Sequence, residues 1–202
     1  MALMEGLSLR DITYRRWIGL YGPAQAGKDT LARVLVHDYG YKRIAFADPV
    51  KEMALAIDPI VDANRGIRTH LSEVVNGAGW ESAKADYPEI RRILQRIGTE
   101  AVRKQTPSYW VDLAEFKANV QDQPVVFTDV RFPNEAQMVK RHDGLVVKID
   151  ARTVLETELG EHASENSMCD WTPDFVLHNP RTSDFEEIAR RMRTFASALQ
   201  TV

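Results

Sequence analysis

Cysteine is nearly missing from the 202-residue chain; Cys169 is the single one. One thiol cannot close a disulfide within the chain, so the fold must be held by its core alone. The same usage fits a reducing compartment, and a cytoplasmic location is expected. Cys169 stands beside Asp170 with no metal or redox spacing around it and reads as inert. Long apolar runs are missing too: no stretch nears the roughly 20 residues that span a bilayer, and the first residues lack a signal-peptide core. No membrane partner is expected. Charge of one sign is also lacking, with 26 Lys and Arg against 29 Asp and Glu and a net charge of −3. That excludes the global basic field of a duplex nucleic-acid binder. Repeats and low-complexity tracts are absent. What is left is 44% hydrophobic and 27% charged, over a length that suits one well-buried α/β domain with room for an insertion.

The most informative stretch present is Trp17 to Ala32, where an apolar run enters a Gly/Pro/Ala loop and leaves as a helical pattern. Gly22, Gly27 and Lys28 satisfy the spacing G-x-x-x-x-G-K. Glycines there let backbone N–H groups approach an anion, and the helix that follows aims its positive end at the same point. Lys28 adds a full charge that can bridge the terminal phosphates of a nucleoside triphosphate. The expected nucleotide contacts are Gly22, Ala26, Gly27, Lys28, Asp29 and Thr30. The usual Ser/Thr after the lysine is Asp29 here, and the hydroxyl comes one place later at Thr30. Thr30 is therefore a candidate for phosphate or for Mg²⁺, and Asp29 for ordering metal-bound water or for a helix cap.

Downstream, Gly40 ends the first helix, 43–47 reads as a buried strand, and Asp48-Pro49 reads as a cap and first residue of the next helix. Residues 58–88 lose any long period and read as an insertion, with Trp80 as a packing anchor and Lys84 a weak substrate candidate. Glu89 to Lys104 is read as one continuous α-helix, with Ile90, Ile93, Leu94, Ile97 and Ala101 on its apolar face. Arg91, Gln95 and Gly98 make one adjacent row; Arg92, Arg96, Thr99 and Arg103 make another. Arg forks can hold a monophosphate, Gln95 can read a base edge, and Gly98 would admit a sugar or base closely. Trp110 is divided evenly between core packing and substrate contact.

The second strong signal is Pro124 to Glu135. Val125 to Phe127 is an uninterrupted apolar run, as a strand covered on both faces should be. Asp129 and Arg131 follow it, where open α/β sheets place their ligand crevice. Asp129 suits Mg²⁺ organised through water, Arg131 suits a transferring phosphoryl group, and Glu135 suits orienting Arg131. Two more strands, 144–149 and 174–179, and a helix from about 183 to 199 complete the pattern; Asn179 could border an adenine. The helix carries Phe185, Ile188, Met192, Phe195 and Leu199 on one face as core packing.

Three segments, Gly22–Thr30, Arg91–Arg103 with its Leu94-Gln95-x-x-Gly98-Thr99-Glu100 core, and Asp129-Val-Arg131-Phe-Pro-Asn-Glu135, together resemble the phage-type deoxynucleoside monophosphate kinases. The resemblance spans about residues 17–180. It implies a three-layer P-loop fold with a parallel sheet of about five strands, an acceptor-binding insertion over about 50–120 and a lid over about 150–170 in a single kinase domain. It implies that Lys28, Asp129 and Arg131 serve ATP, Mg²⁺ and phosphoryl transfer, with Thr30 and Asp129 as the metal-side residues. It implies that Arg91, Arg92 and Gln95 serve the acceptor nucleotide; Gly98, Trp110 and Glu135 are further candidates for substrate contact. Arg152 is the expected lid contact to phosphate, and His162 a loop hydrogen-bonder. Small nucleotides are the expected partners, and a homodimer is left open. Two alternatives stand beside the kinase: a P-loop kinase for another small acceptor such as dephospho-coenzyme A, and a non-catalytic nucleotide-binding module. An Asn-Lys-x-Asp guanine-reading segment is absent, which argues against a GTPase switch.

Overall fold

A computed structural model of the protein describes residues 17–24, 26–62, 68–150, 167–179 and 185–199. The elements in chain order are β1 Ile18–Tyr21, α1 Lys28–Tyr39, β2 Lys42–Ile44, α2 Asp48–Ile57, β3 Ile60–Asp62, β4 Arg68–His70 and α3 Leu71–Asp86. After them come α4 Pro88–Gln95, a π-helical segment Arg96–Arg103, α5 Tyr109–Asn119 and β5 Val125–Phe127. The chain ends with α6 Pro133–Arg141, β6 Leu145–Asp150, β7 Phe175–His178 and α7 Phe185–Leu199. It divides into two units: residues 1–45 with 113–202, and residues 46–112.

In the first unit five strands form an all-parallel sheet in the order β2-β5-β1-β6-β7. Parallel strands need helical crossovers, which cover both faces, so β1 and β5 are buried at every residue. Leu31 and Leu35 of α1 and Ala196 of α7 pack with Ile18, Leu20, Val147 and Ile149 on one face. On the other face, a side chain on Gly19 would meet Val130 at 3.1 Å and Val139 of α6 at 3.2 Å, so the bare backbone of β1 lets α6 lie close. Trp17 stacks on His142 at 3.9 Å, and His142 Nε2 lies 2.6 Å from Glu115, tying α5 to the end of α6.

The strand order fixes where a ligand goes. The connection leaving β1 runs to β2 on one side, whereas that leaving β5 crosses to β6 on the other. The two strands are neighbours, so their C-terminal ends flank the switch point at which such sheets hold ligands. The three-layer fold with five parallel strands expected from the sequence is the one observed.

The second unit is a hairpin of β3 and β4 beside α2, α3, α4 and the π-helical segment. Its core holds Ala54, Val61, Leu71, Val74, Ala83 and Ile90, with Trp80 packed against it, as expected of Trp80. Two sequence expectations are corrected here. Asp48 is not the cap of α2: the helix begins at Asp48, and Ala47 precedes it as the capping residue. Asp48 lies instead 3.6 Å from Lys51, one turn on.

The second correction is larger. Glu89 to Lys104 is not one α-helix; it widens to a π-helix at Arg96, and Lys104 N–H bonds back to the Thr99 carbonyl, five residues away. The wider turn moves the buried stripe by one residue, leaving Ala101 exposed and Val102 half-buried. The rows drawn at 3.6 residues per turn break at the same place. Arg92 and Arg96 stay exposed, while Thr99 and Arg103 turn half-buried.

Candidate phosphate-binding site

The loop after β1 is built from conformations that only glycine takes without strain. Gly22 has φ 138°, and a side chain there would lie 2.2 Å from the Ile149 carbonyl oxygen of β6. Gly27 has φ 105° and caps α1, whose first backbone bond runs from Leu31 N–H to the Gly27 carbonyl. The N–H groups of Lys28, Asp29 and Thr30, in the first turn, therefore have no carbonyl a turn earlier in the helix to bond. Asp29 is exposed and Thr30 half-buried beside them. Ala26 departs from the expectation of a nucleotide contact. Its side chain is buried in the core, its N–H closes a turn on the Pro23 carbonyl at 3.3 Å, and its carbonyl accepts from Asn179 Nδ2 at 2.8 Å.

Asn179 is thus a loop anchor. It is buried at the end of β7, and its own N–H bonds the Asp150 carbonyl. Composition gave no signal for this beyond a lone amide at a strand end, because its partner lies 153 positions away.

Lys28 Nζ turns back on the loop and donates to the Gly22 carbonyl at 2.8 Å and the Pro23 carbonyl at 2.5 Å. Its pKa is held below the ordinary 10.5, first by burial and then by the positive charge of Arg131; Asp29 and Asp129 pull the other way. Lys28 therefore shares one electrostatic neighbourhood with Asp129 and Arg131, about a hundred residues further on in sequence. The backbone explains it, since Val130 N–H bonds the Leu20 carbonyl at 3.0 Å and lays the Asp129-Val-Arg131 segment alongside the end of β1. The Arg131 side chain is exposed, and its guanidinium makes no ion pair among the described residues.

Glu135 is placed differently from the expectation. Its carboxylate is 1% exposed, too buried to meet an acceptor, and Oε2 accepts the main-chain N–H groups of Arg131 at 2.7 Å and Phe132 at 3.2 Å. It reaches back as the third residue of α6 to the Phe132 cap, the reciprocal half of a capping box. Arg131 is held through its backbone.

In the second unit Arg91 and Arg92 are exposed, and Gln95 and Gly98 half-buried. The Gly98 carbonyl accepts the Trp110 indole N–H at 2.8 Å, and a side chain at Gly98 would meet both methyls of Val50 at 3.4 Å. Trp110 itself is 2% exposed. Of its two expected roles the structure shows packing, with its one polar atom used on the π-helical segment. Lys84 pairs with Glu81 at 2.7 Å. Arg152 and His162, and most of the expected lid, lie outside the described residues.

No protein-family model matches the chain. A protein of Acanthamoeba polyphaga mimivirus named "Putative deoxynucleotide monophosphate kinase" is 27% identical over 183 residues, covering 82% of this chain and 89% of that one. The family resemblance read from the three sequence segments is borne out by this relative. Among solved structures, shikimate kinase from Bacteroides thetaiotaomicron aligns over 92% of this chain and 98% of its own at 13% identity, with a TM-score of 0.45. Dephospho-CoA kinase from Campylobacter jejuni aligns over 93% and 99% at 13% identity, again with a TM-score of 0.45. Likenesses at that level carry no weight about activity. Among the described residues no helix is long and apolar enough to cross a membrane.

Proposed function

We propose that the chain is an ATP-dependent deoxynucleoside monophosphate kinase that moves the γ-phosphoryl group of ATP onto the phosphate of a dNMP, giving ADP and a dNDP. One observation supports it above the rest: the Val130–Leu20 backbone bond lays the Asp129-Val-Arg131 segment beside the end of β1, so that Lys28, on a glycine loop shaped for phosphate, feels the charges of both Asp129 and Arg131. The name of the mimivirus relative supports the choice of acceptor class.

The chemistry asks little beyond position and charge. The attacking oxygen of the acceptor phosphate is already ionised, so no general base is needed. Lys28 would leave the Gly22 and Pro23 carbonyls for the β- and γ-phosphates, and Arg131 would neutralise charge on the equatorial oxygens as the bond to the leaving oxygen lengthens. Thr30 and Asp129 supply hard oxygen donors. Mg²⁺ takes one or two such groups plus phosphate oxygens and water, so these residues fit it. The ion would neutralise phosphate charge as it develops. Gly22, Gly27, Asp29 and Thr30 frame the nucleotide phosphates. Acceptor recognition falls to the second unit, with Arg91 and Arg92 for the monophosphate and Gln95 for the base.

The test is ADP release from ATP and Mg²⁺ with a panel of dNMPs and NMPs, run beside Lys28→Ala. Turnover with one or more dNMPs, lost in the variant, is expected. Silence with every monophosphate would reject the acceptor class, while ATP binding that still depends on Lys28 would keep the phosphate loop.

A further inference from the structure

Among the described residues the Arg131 guanidinium has no ion-pair partner, while its main chain is fixed. Its N–H and the N–H of Phe132 both donate to Glu135 Oε2. Its carbonyl accepts from the Ser167 hydroxyl, 36 positions on. The peptide plane before Arg131 is thus held at its N–H, and the plane after it at both the carbonyl and the N–H. Peptide planes are rigid, so holding the two that flank a residue fixes its φ and ψ, and with them the direction of its Cα–Cβ bond. For an exposed side chain with no ion pair among the described residues, that direction is what aims the guanidinium.

Ser167 is itself seated. It opens a turn over 167–170 in which Met168 is buried. The residue after that turn, Trp171, accepts a hydrogen bond through its carbonyl from the Tyr21 hydroxyl at 3.3 Å. Tyr21 is 4% exposed, and burial pushes its pKa up to about 12, so the hydroxyl stays a donor. Tyr21 is the last residue of β1 and leads directly into Gly22. One short segment therefore touches the residue before the phosphate loop at one end and Arg131 at the other.

We infer that Ser167 is a positioning residue for Arg131: its hydroxyl fixes the Arg131–Phe132 peptide and so aims the guanidinium at the transferring phosphoryl group. The inference rests on the phosphotransfer proposed above. A double-mutant cycle tests it, with Ser167→Ala, Arg131→Ala, the pair together, and Ser167→Thr as the variant that keeps the hydroxyl. Loss of this bond should lower kcat about fivefold, the scale of one neutral hydrogen bond, with the KM for ATP held within about twofold. Ser167→Thr should restore the rate. In the Arg131→Ala background the same Ser167→Ala change should cost nothing further, because there is no guanidinium left to aim. An unchanged kcat in Ser167→Ala, or the same loss in both backgrounds, overturns the inference. Should the wild type transfer phosphate to no monophosphate at all, the functional reading fails on its own. Amide exchange then decides the positioning: Ser167→Ala must speed exchange at Phe132 without moving Tm, and an unchanged rate there overturns it.

Discussion

The two units were built under different kinds of constraint. In the first, the site is written in backbone conformation: a glycine with φ 138°, another with φ 105°, and a strand-to-loop step that lays Val130 against Leu20. Few residue types satisfy such geometry, so the sequence shows it. In the second, the candidate acceptor residues are side chains on a helix whose period changes part-way, from α at Gln95 to π at Arg96. Many sequences satisfy that, and spacing alone misleads. A phosphate cradle is legible because it uses the main chain; an acceptor surface is not, because it uses rotamers and register.

The sharpest way to press this comparison is at Arg131. If it acts only in the transition state, Arg131→Ala should cost roughly 3–4 kcal/mol in kcat with little change in ATP binding. A loss below tenfold in steady-state turnover would remove that role. The same variant moves a pH limb. Arg131 lowers the Lys28 pKa, so Lys28 loses its proton, and its hold on phosphate, earlier on the alkaline side than an ordinary lysine would. Removing Arg131 takes away a like charge, and the alkaline limb of kcat/KM for ATP should shift to higher pH. In Asp129→Asn the lost carboxylate should shift it to lower pH. Limbs that coincide in all three proteins would show that Lys28 does not feel these groups.

Gly22→Ala tests the backbone half directly. A methyl 2.2 Å from the Ile149 carbonyl oxygen, on a residue at φ 138°, cannot be accommodated without moving β6 or the loop. Destabilisation of about 3 kcal/mol is expected by urea unfolding, larger than for most single substitutions. A variant as stable as wild type would mean that the loop is softer than its geometry implies.

How far the sequence could be read follows the same division. Lys28, Asp129 and Arg131 could be singled out together because Lys28 opens the helix after a glycine loop, and Asp129 and Arg131 follow directly on an apolar strand, patterns that chemistry restricts. Glu135 was tied to Arg131 as an orienting residue, but nothing in the spacing says that it will do so through the main-chain N–H groups of Arg131 and Phe132. Asn179 and Ser167 were missed as supports because their partners, Ala26 and Arg131, are 153 and 36 positions away. Ala101 was given to the core because a helical wheel assumes one period; Val102 took that place when the turn widened. Contacts near in sequence or fixed by backbone strain can be foreseen, whereas long-range side-chain partners and changes of helical period cannot.

Trp110→Phe probes the second unit at lower amplitude. Phenylalanine keeps most of the buried ring but drops the indole N–H that meets the Gly98 carbonyl, so about 1 kcal/mol of stability should go. Because the ring is buried, the KM for the dNMP should stay within about twofold. A large rise in acceptor KM at unchanged stability would return Trp110 to the substrate.

Gly98→Ala is the smallest change and the one that divides the two readings of this segment. A methyl there would sit 3.4 Å from both methyls of Val50, ordinary contact, and Gly98 shows no positive φ to lose. If Gly98 serves packing, the substitution should be near neutral, within about 0.5 kcal/mol by thermal or urea unfolding, and acceptor kinetics should not move. If a sugar or base approaches the backbone at Gly98, the same methyl should raise the KM for the dNMP severalfold while stability and the KM for ATP stay put, since ATP is assigned to the other unit. The two measurements together decide whether the glycine of the Gln95-x-x-Gly98 row merely packs beside Val50 or is needed by the acceptor, a distinction that one sequence spacing could never make.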